Sequence, residues 1–147
     1  MQKARYIWVA VLVVLDHIIK AYAMQHSLPS IPGHMITWVL VKNQGVSFGA
    51  LSSIPPIMLI LLQICVWVYI MQNVKDVLPS TLITAGFLGN LIDRVFYTYI
   101  IDMIQLNVFS FTWPFVFNIA DIYISIAAAI ILLKNLPLLN IRNKLVI

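Results

Sequence analysis

The sequence predicts an all-α membrane protein with a small β element, and three observations lead there. Of 147 residues, 62% are hydrophobic and only 10% are charged, with a mean hydropathy of +0.97, whereas soluble domains are about half apolar and about a quarter charged. The apolar residues gather into four runs, each close to the ~20 residues a helix needs to cross a ~30 Å hydrocarbon core. The cations lie at the ends of those runs, a pattern that speaks for topology rather than for nucleic acid binding. No Gly/Ser/Pro-rich linker, low-complexity tract or repeat divides the chain, so one domain over residues 1–147 is expected.

The first span covers residues 6–24, just after Lys3 and Arg5. It resembles a leader, but no small-residue cleavage site follows and Asp16-His17 interrupts it, so an uncleaved span is expected. The second covers residues 57–74 and is entered through Pro55-Pro56. The third covers 78–96 and the fourth 114–133, with Pro79 and Pro114 at early positions where a helix tolerates proline. Cys65, the lone cysteine, is expected to be a small buried hydrophobe of span two.

With both termini in the cytoplasm, the inner side holds Lys3, Arg5, Lys75, Lys134, Arg142 and Lys144, against Lys20, Lys42 and Arg94 outside. The positive-inside rule favours that orientation. Two segments then lie on the outer face. Residues 25–53 contain the strand-forming string Met35-Ile-Thr-Trp-Val-Leu-Val41, and residues 97–113 are aromatic and β-branched. The two segments can pair as a small sheet on the membrane surface.

Chemistry is concentrated in the acids. The chain has no glutamate, and four of its five aspartates (Asp16, Asp93, Asp102 and Asp121) lie in or beside apolar runs. A carboxylate in a bilayer is expensive and is usually paired and functional. Asp102 follows span three on the outer loop. Asp121 lies seven residues past Pro114, which on a helix is roughly 10 Å below the start of span four. If the loop folds back, the two meet and share one proton, because neighbouring carboxylates cannot both ionise comfortably. The ionised one then activates water and the protonated one polarises a carbonyl. A proton relay, or two independently hydrogen-bonded carboxylates, fits the same spacing.

Other polar residues fall at helical spacings. Asn118, Asp121 and Ser125 form a stripe expected to face the interior or a wet cleft, with Ser125 read first as a small packing residue. Asn90, Asp93 and Arg94 share one turn; Asp93 and Arg94 are adjacent, so each is expected to find its partner elsewhere, unless Arg94 snorkels to the interface. Gly86 and Gly89 permit close helix contact. Asp16 and Lys20 stand four apart, acid first, as an ion pair. His17 points to another face and is read as incidental, and His26 and His34 have no ligand spacing, so no metal or other cofactor is expected. Asn43-Gln-Gly45-Val-Ser-Phe-Gly49 suggests an outer-face turn, with Asn43 able to donate to and accept from an extended peptide.

Taken together, these motifs resemble the lipoprotein signal peptidase (signal peptidase II) family. In order they are Asp16-x-x-x-Lys20, Asn43-x-Gly45-x-x-Phe48-Gly49, Gly89-Asn90-x-x-Asp93-Arg94, Asp102, and Phe117-Asn118-x-Ala120-Asp121. The resemblance implies an aspartyl endopeptidase of the bacterial inner membrane, with four transmembrane helices, an outer-face β-cradle and a short interfacial half-helix around residues 35–53. Its substrates would be prolipoproteins carrying a diacylglyceryl group, cut just before the lipidated cysteine near the outer face. Asp102 and Asp121 would be the catalytic pair. Asn43, Asn90, Arg94 and Asn118 would position substrate and dyad, with Gly45 in the turn, and Asp16, Lys20 and Asp93 would brace the site. No cofactor is implied. Partners would be those substrates and membrane lipids, and a monomer is expected. The chain departs from the family's usual pattern at His17 (often Gln), Ser47 (often Ala) and Thr98 (usually Gly). Outside the peptidase class, a proton-coupled transporter or a structural membrane subunit are the competing readings; four spans without a repeat suit a transporter poorly.

Overall fold

The structure, a computed structural model, describes residues 2–26, 35–45, 54–108 and 111–136. In chain order these form α1 (Gln2–Gln25), β1 (Ile36–Asn43), α2 (Pro56–Asn73), α3 (Val77–Tyr97), β2 (Ile100–Val108), β3 (Phe111–Phe117) and α4 (Ile119–Asn135). The first three expected spans match their helices to within a few residues. Pro56 opens α2 at the first helical turn, where its missing N–H costs nothing.

Span four is corrected. Residues 111–117, Phe-Thr-Trp-Pro-Phe-Val-Phe, are strand β3, and the helix begins only at Ile119. Aromatic and β-branched residues favour the pleated sheet. Pro114 is tolerated because β3 is an edge strand whose register is irregular between Gln105 and Asn107 of its neighbour. The sheet runs β1-β2-β3, antiparallel throughout, with Val41 opposite Asp102 and Asn43 opposite Ile100. The expected pairing of the two outer segments is therefore present. The half-helix expected toward Ser53 falls on residues 46–53, outside the described residues.

α3 is the hub and packs against α1, α2 and α4. Its contacts with α4 and α1 are close enough to require glycine. A Cβ on Gly86 would lie 2.5 Å from the Ala120 carbonyl oxygen, and one on Gly89 would lie 2.7 Å from Asp16 Oδ2. α3 ends at Thr98, which caps the helix in the left-handed region at φ 65° and so turns the chain into β2. The left-handed region favours glycine, so the departure expected at Thr98 falls on a strained backbone angle.

The molecule is inside out relative to a soluble domain. Tyr6, Ile7, Trp8, Val11, Val14 and Ile18 of α1 and Ile57, Met58, Leu61 and Tyr69 of α2 are exposed, while Asp16, Lys20, Asn90, Asp93, Arg94, Asp102 and Asn118 are buried. Residues Lys3–Gln25 and Pro56–Asn73 are long and apolar enough to cross a membrane, yet only 17% and 6% of those stretches are buried within the protein. A soluble core helix would be covered by protein; these two leave their apolar surface uncovered, which makes them candidate membrane spans. Cys65 shares that fate: it is exposed on α2, not buried as expected. Ser125 is likewise exposed, so the polar stripe on α4 does not extend to it.

Candidate active site

The N-terminus of α4 sets one half of the site. Asn118 is the N-cap, with extended backbone, rather than a residue inside the helix. Its Oδ1 accepts from the Asp121 amide at 2.9 Å, and its own amide donates to Asp121 Oδ2 at 3.1 Å. This reciprocal capping box satisfies two otherwise unpaired backbone donors and locks the Asp121 side chain. It also corrects the expected depth. Asp121 stands at the third residue of the helix, not two turns down, because the helix starts after β3.

The sheet sets the other half. Asp102 lies within β2, 2% exposed. Its Oδ2 accepts from Asn43 Nδ2 at 2.9 Å, and its Oδ1 accepts from Asn118 Nδ2 at 2.8 Å. Asn118 thus touches both carboxylates, one through its capping pair and the other through its amide nitrogen. The same Nδ2 reaches Asn90 Oδ1 at 3.0 Å, while Asn90 Nδ2 donates to Asp121 Oδ1 at 2.9 Å. Every oxygen of the two acids accepts a hydrogen bond from an asparagine. Asp102 is buried and Asp121 is half-buried. Burial, reinforced by the Asp121 charge, raises the Asp102 carboxyl from 3.8 to about 7 against the pull of the Asn43 and Asn118 hydrogen bonds. Near neutral pH such a pair holds a proton on one member and leaves the other ionised.

Beneath the pair lies a buried ionic brace. Lys20 Nζ is 2.7 Å from both Asp16 Oδ2 and Asp93 Oδ2 and 3.4 Å from Asn90 Oδ1. Asp16 Oδ1 accepts from the Ala120 amide at 3.0 Å, and Asp93 Oδ2 from the Ile101 amide at 3.1 Å. The brace therefore fixes the backbone one residue before each acid of the pair, tying α1 and α3 to α4 and β2. Asp93 and Arg94 find separate partners, as their adjacency required. Arg94 does not snorkel; it is buried and donates to the Gly45 carbonyl at 2.7 Å and to Gln63 Oε1. The Gly45 amide in turn donates to Asn43 Oδ1 at 3.1 Å, which fixes the asparagine that faces Asp102.

All ten expected site residues belong to this one network. Two others were missed. His17, read as incidental, places Nδ1 3.7 Å from Asp93 Oδ1. Gln63 receives Arg94; its signal in the sequence is an amide in the interior of the otherwise apolar stretch 57–71. The capping role of Asn118 was also legible, since Asn-x-x-Asp ahead of an apolar run has the spacing of a capping box.

The description signal peptidase (SPase) II belongs to a family model that matches residues 8–136. The chain belongs to the signal peptidase II family. Lipoprotein signal peptidases resemble it over most of its length. That of Streptococcus pneumoniae (strain R6) is 32% identical over 144 residues, covering 87% of this chain and 89% of the relative. That of Caulobacter vibrioides is 37% identical over 153 residues, covering 92% and 87%. The match to the Fusobacterium nucleatum protein is shorter, 34% over 104 residues, covering 65% of this chain and 61% of that one. A bacterial membrane enzyme solved by the in meso method at 2.3 Å resolution has the same fold, with a TM-score of 0.75 over 92% of this chain and 88% of that one at 24% identity. Family membership brings lipoprotein signal peptidase function and aspartic peptidase chemistry, and decides against the transporter and structural-subunit readings.

Proposed function

We propose that Asp102 and Asp121 are the catalytic dyad of an intramembrane endopeptidase that cuts diacylglyceryl-modified prolipoproteins just before the lipidated cysteine. The observation that carries this reading is the Asn118 side chain and amide, which hold both carboxylates at once. In this reading Asp102, raised to about 7 by burial and the Asp121 charge, holds the shared proton, and Asp121 acts as base. Asp121 takes a proton from water as the oxygen attacks the scissile carbonyl. Asp102 donates its hydrogen bond to the carbonyl oxygen as charge builds there. Collapse of the tetrahedral intermediate breaks the C–N bond, and a dyad proton passes to the leaving nitrogen. The signal peptide leaves with a carboxyl terminus and the lipidated cysteine with a free α-amine.

The remaining site residues act by position. Asn43 and Asn90 orient the acids, Arg94 and Gly45 hold the turn beside them, and Asp16, Lys20 and Asp93 brace the backbone beneath. All four helices span the membrane in this reading, α3 and α4 shielding their polar residues inside the bundle, and residues 1–147 act as one monomeric domain. Both termini face the cytoplasm of a bacterial inner membrane, so the dyad lies near the outer face. A cleft open to lipid admits a substrate that stays anchored by its acyl chains, while water reaches the dyad from outside. The test is cleavage of one precursor in two forms, with and without the diacylglyceryl group, followed by mass spectrometry of the new N-terminus. Cleavage confined to the lipidated form and leaving cysteine first is expected. Equal cleavage of the unmodified form, or a different N-terminus, overturns the substrate assignment.

A further inference from the structure

Gln63 is the one polar side chain of α2 that reaches toward the dyad. α2 makes its main contact with α3, and Leu59 is its only buried side chain. A primary amide in a lipid-facing helix is costly unless both its ends are bonded. Gln63 Nε2 donates to the Phe87 carbonyl at 2.9 Å, and Oε1 receives Arg94 Nη1. A carbonyl on one side and a guanidinium on the other leave the amide only one orientation.

From there a chain of hydrogen bonds leads to the dyad. The second Arg94 arm holds the Gly45 carbonyl at 2.7 Å, the Gly45 amide bonds Asn43 Oδ1 at 3.1 Å, and Asn43 Nδ2 bonds Asp102 Oδ2 at 2.9 Å. We propose that Gln63 is a positioning residue for the peptidase reaction: it fixes the Arg94 fork so that the Gly45 turn keeps the Asn43 amide aimed at Asp102. This inference rests on the dyad reading above. Without Gln63, one arm of a buried guanidinium loses its acceptor and Arg94 is free to turn away from Gly45. The same interface supplies a control. Trp67, one turn further along α2, stacks on Phe87 with ring centroids 4.9 Å apart and places Nε1 3.4 Å from Thr84 Oγ1, on the same helix pair.

The test compares full-length Gln63→Leu, Gln63→Glu and Trp67→Phe, using the lipidated precursor as substrate. Loss of a hydrogen bond to a charged group predicts a fall of about tenfold or more in kcat/KM for Gln63→Leu. The fall should be carried by kcat, with the alkaline limb of the pH profile moved to higher pH as Asp102, the acid of the pair, loses its Asn43 donor. Gln63→Glu keeps the oxygen that receives Arg94 but loses the donor to the Phe87 carbonyl, so it should retain more activity than Gln63→Leu. Trp67→Phe lowers the melting temperature and leaves the pH profile in place. Combined with Arg94→Lys, Gln63→Leu should add little to the loss, since both break one chain. A readout independent of turnover is the Asp102 signal in a ¹³Cγ-aspartate titration, simple in a chain with five acids. That signal should titrate higher in Gln63→Leu than in wild type. A Gln63→Leu enzyme that behaves like Trp67→Phe, with an unmoved Asp102 titration, overturns the proposal. A wild-type protein that leaves the lipidated precursor intact refutes the substrate reading instead, and the titration still decides on Gln63.

Discussion

If Asp102 prefers its proton in the folded protein, replacing it should change how stability depends on pH. The perturbation is Asp102→Asn, which keeps shape and polarity and removes the titration. The carboxyl rises from 3.8 to about 7 in the native state, a difference of ~4 kcal/mol at ~1.4 kcal/mol per pH unit. The sign follows from which state releases its proton first. Below about pH 4 both folded and unfolded chains hold the proton and Asp102 imposes no penalty. Between about 4 and 7 the unfolded chain releases it and the native chain does not, so wild-type stability falls; above about 7 the penalty is complete. Asp102→Asn lacks this fall. Its amide also turns a donor toward Asn43 or Asn118, which lowers its stability at every pH and leaves the slope untouched. The assay is thermal unfolding in detergent from pH 4 to pH 8. The melting-temperature difference between variant and wild type should climb by roughly 10 °C across that range, at ~2–4 °C per kcal/mol, and then level off. Parallel curves would mean that Asp102 ionises freely in the folded protein and would remove the shared proton from the mechanism.

Three further outcomes concern the scaffold. Thr98→Gly relieves a β-branched residue at φ 65°, and ~1–2 kcal/mol of strain outweighs the ~0.5–1 kcal/mol entropy cost of glycine; a rise in melting temperature is expected, and a fall contradicts it. Gly89→Ala places a methyl 2.7 Å from Asp16 Oδ2 and 3.2 Å from the Ala120 Cβ. Because Asp16 is held by Lys20 and the Ala120 amide, ~1–3 kcal/mol of stability should be lost in the same unfolding assay. Lys20→Met strands two buried carboxylates and should cost ~3–5 kcal/mol. By contrast Lys134→Met, which breaks an exposed pair with Asp76, should cost below ~1 kcal/mol; equal losses would contradict the idea of a brace.

Much of this architecture was legible in the residues. Long apolar runs with cations at their ends place three helices to within a few residues, because length and hydropathy alone decide a span. The start of α4 was not, because Phe111 to Phe117 is as apolar as a span and hydropathy does not separate an aromatic strand from a helix. That error displaced Asp121 inward and made an N-cap look like a helix face. Asp16 and Lys20 are readable as a pair because their spacing is local; Asp93 comes from another helix, so the resemblance could place it in the brace but only packing shows its contact with Lys20. Gln63 was hidden for the same reason: its partners lie 24 and 31 residues away.

The measurement that bears most directly on the dyad is the turnover of lipidated precursor by purified Asp102→Asn and Asp121→Asn, with binding of the precursor followed in parallel. Each should lose turnover by about a hundredfold or more while still binding the precursor, because each removes a proton carrier and leaves the cleft intact. Either variant cleaving at the wild-type rate would contradict joint activation of water by these two carboxyl groups.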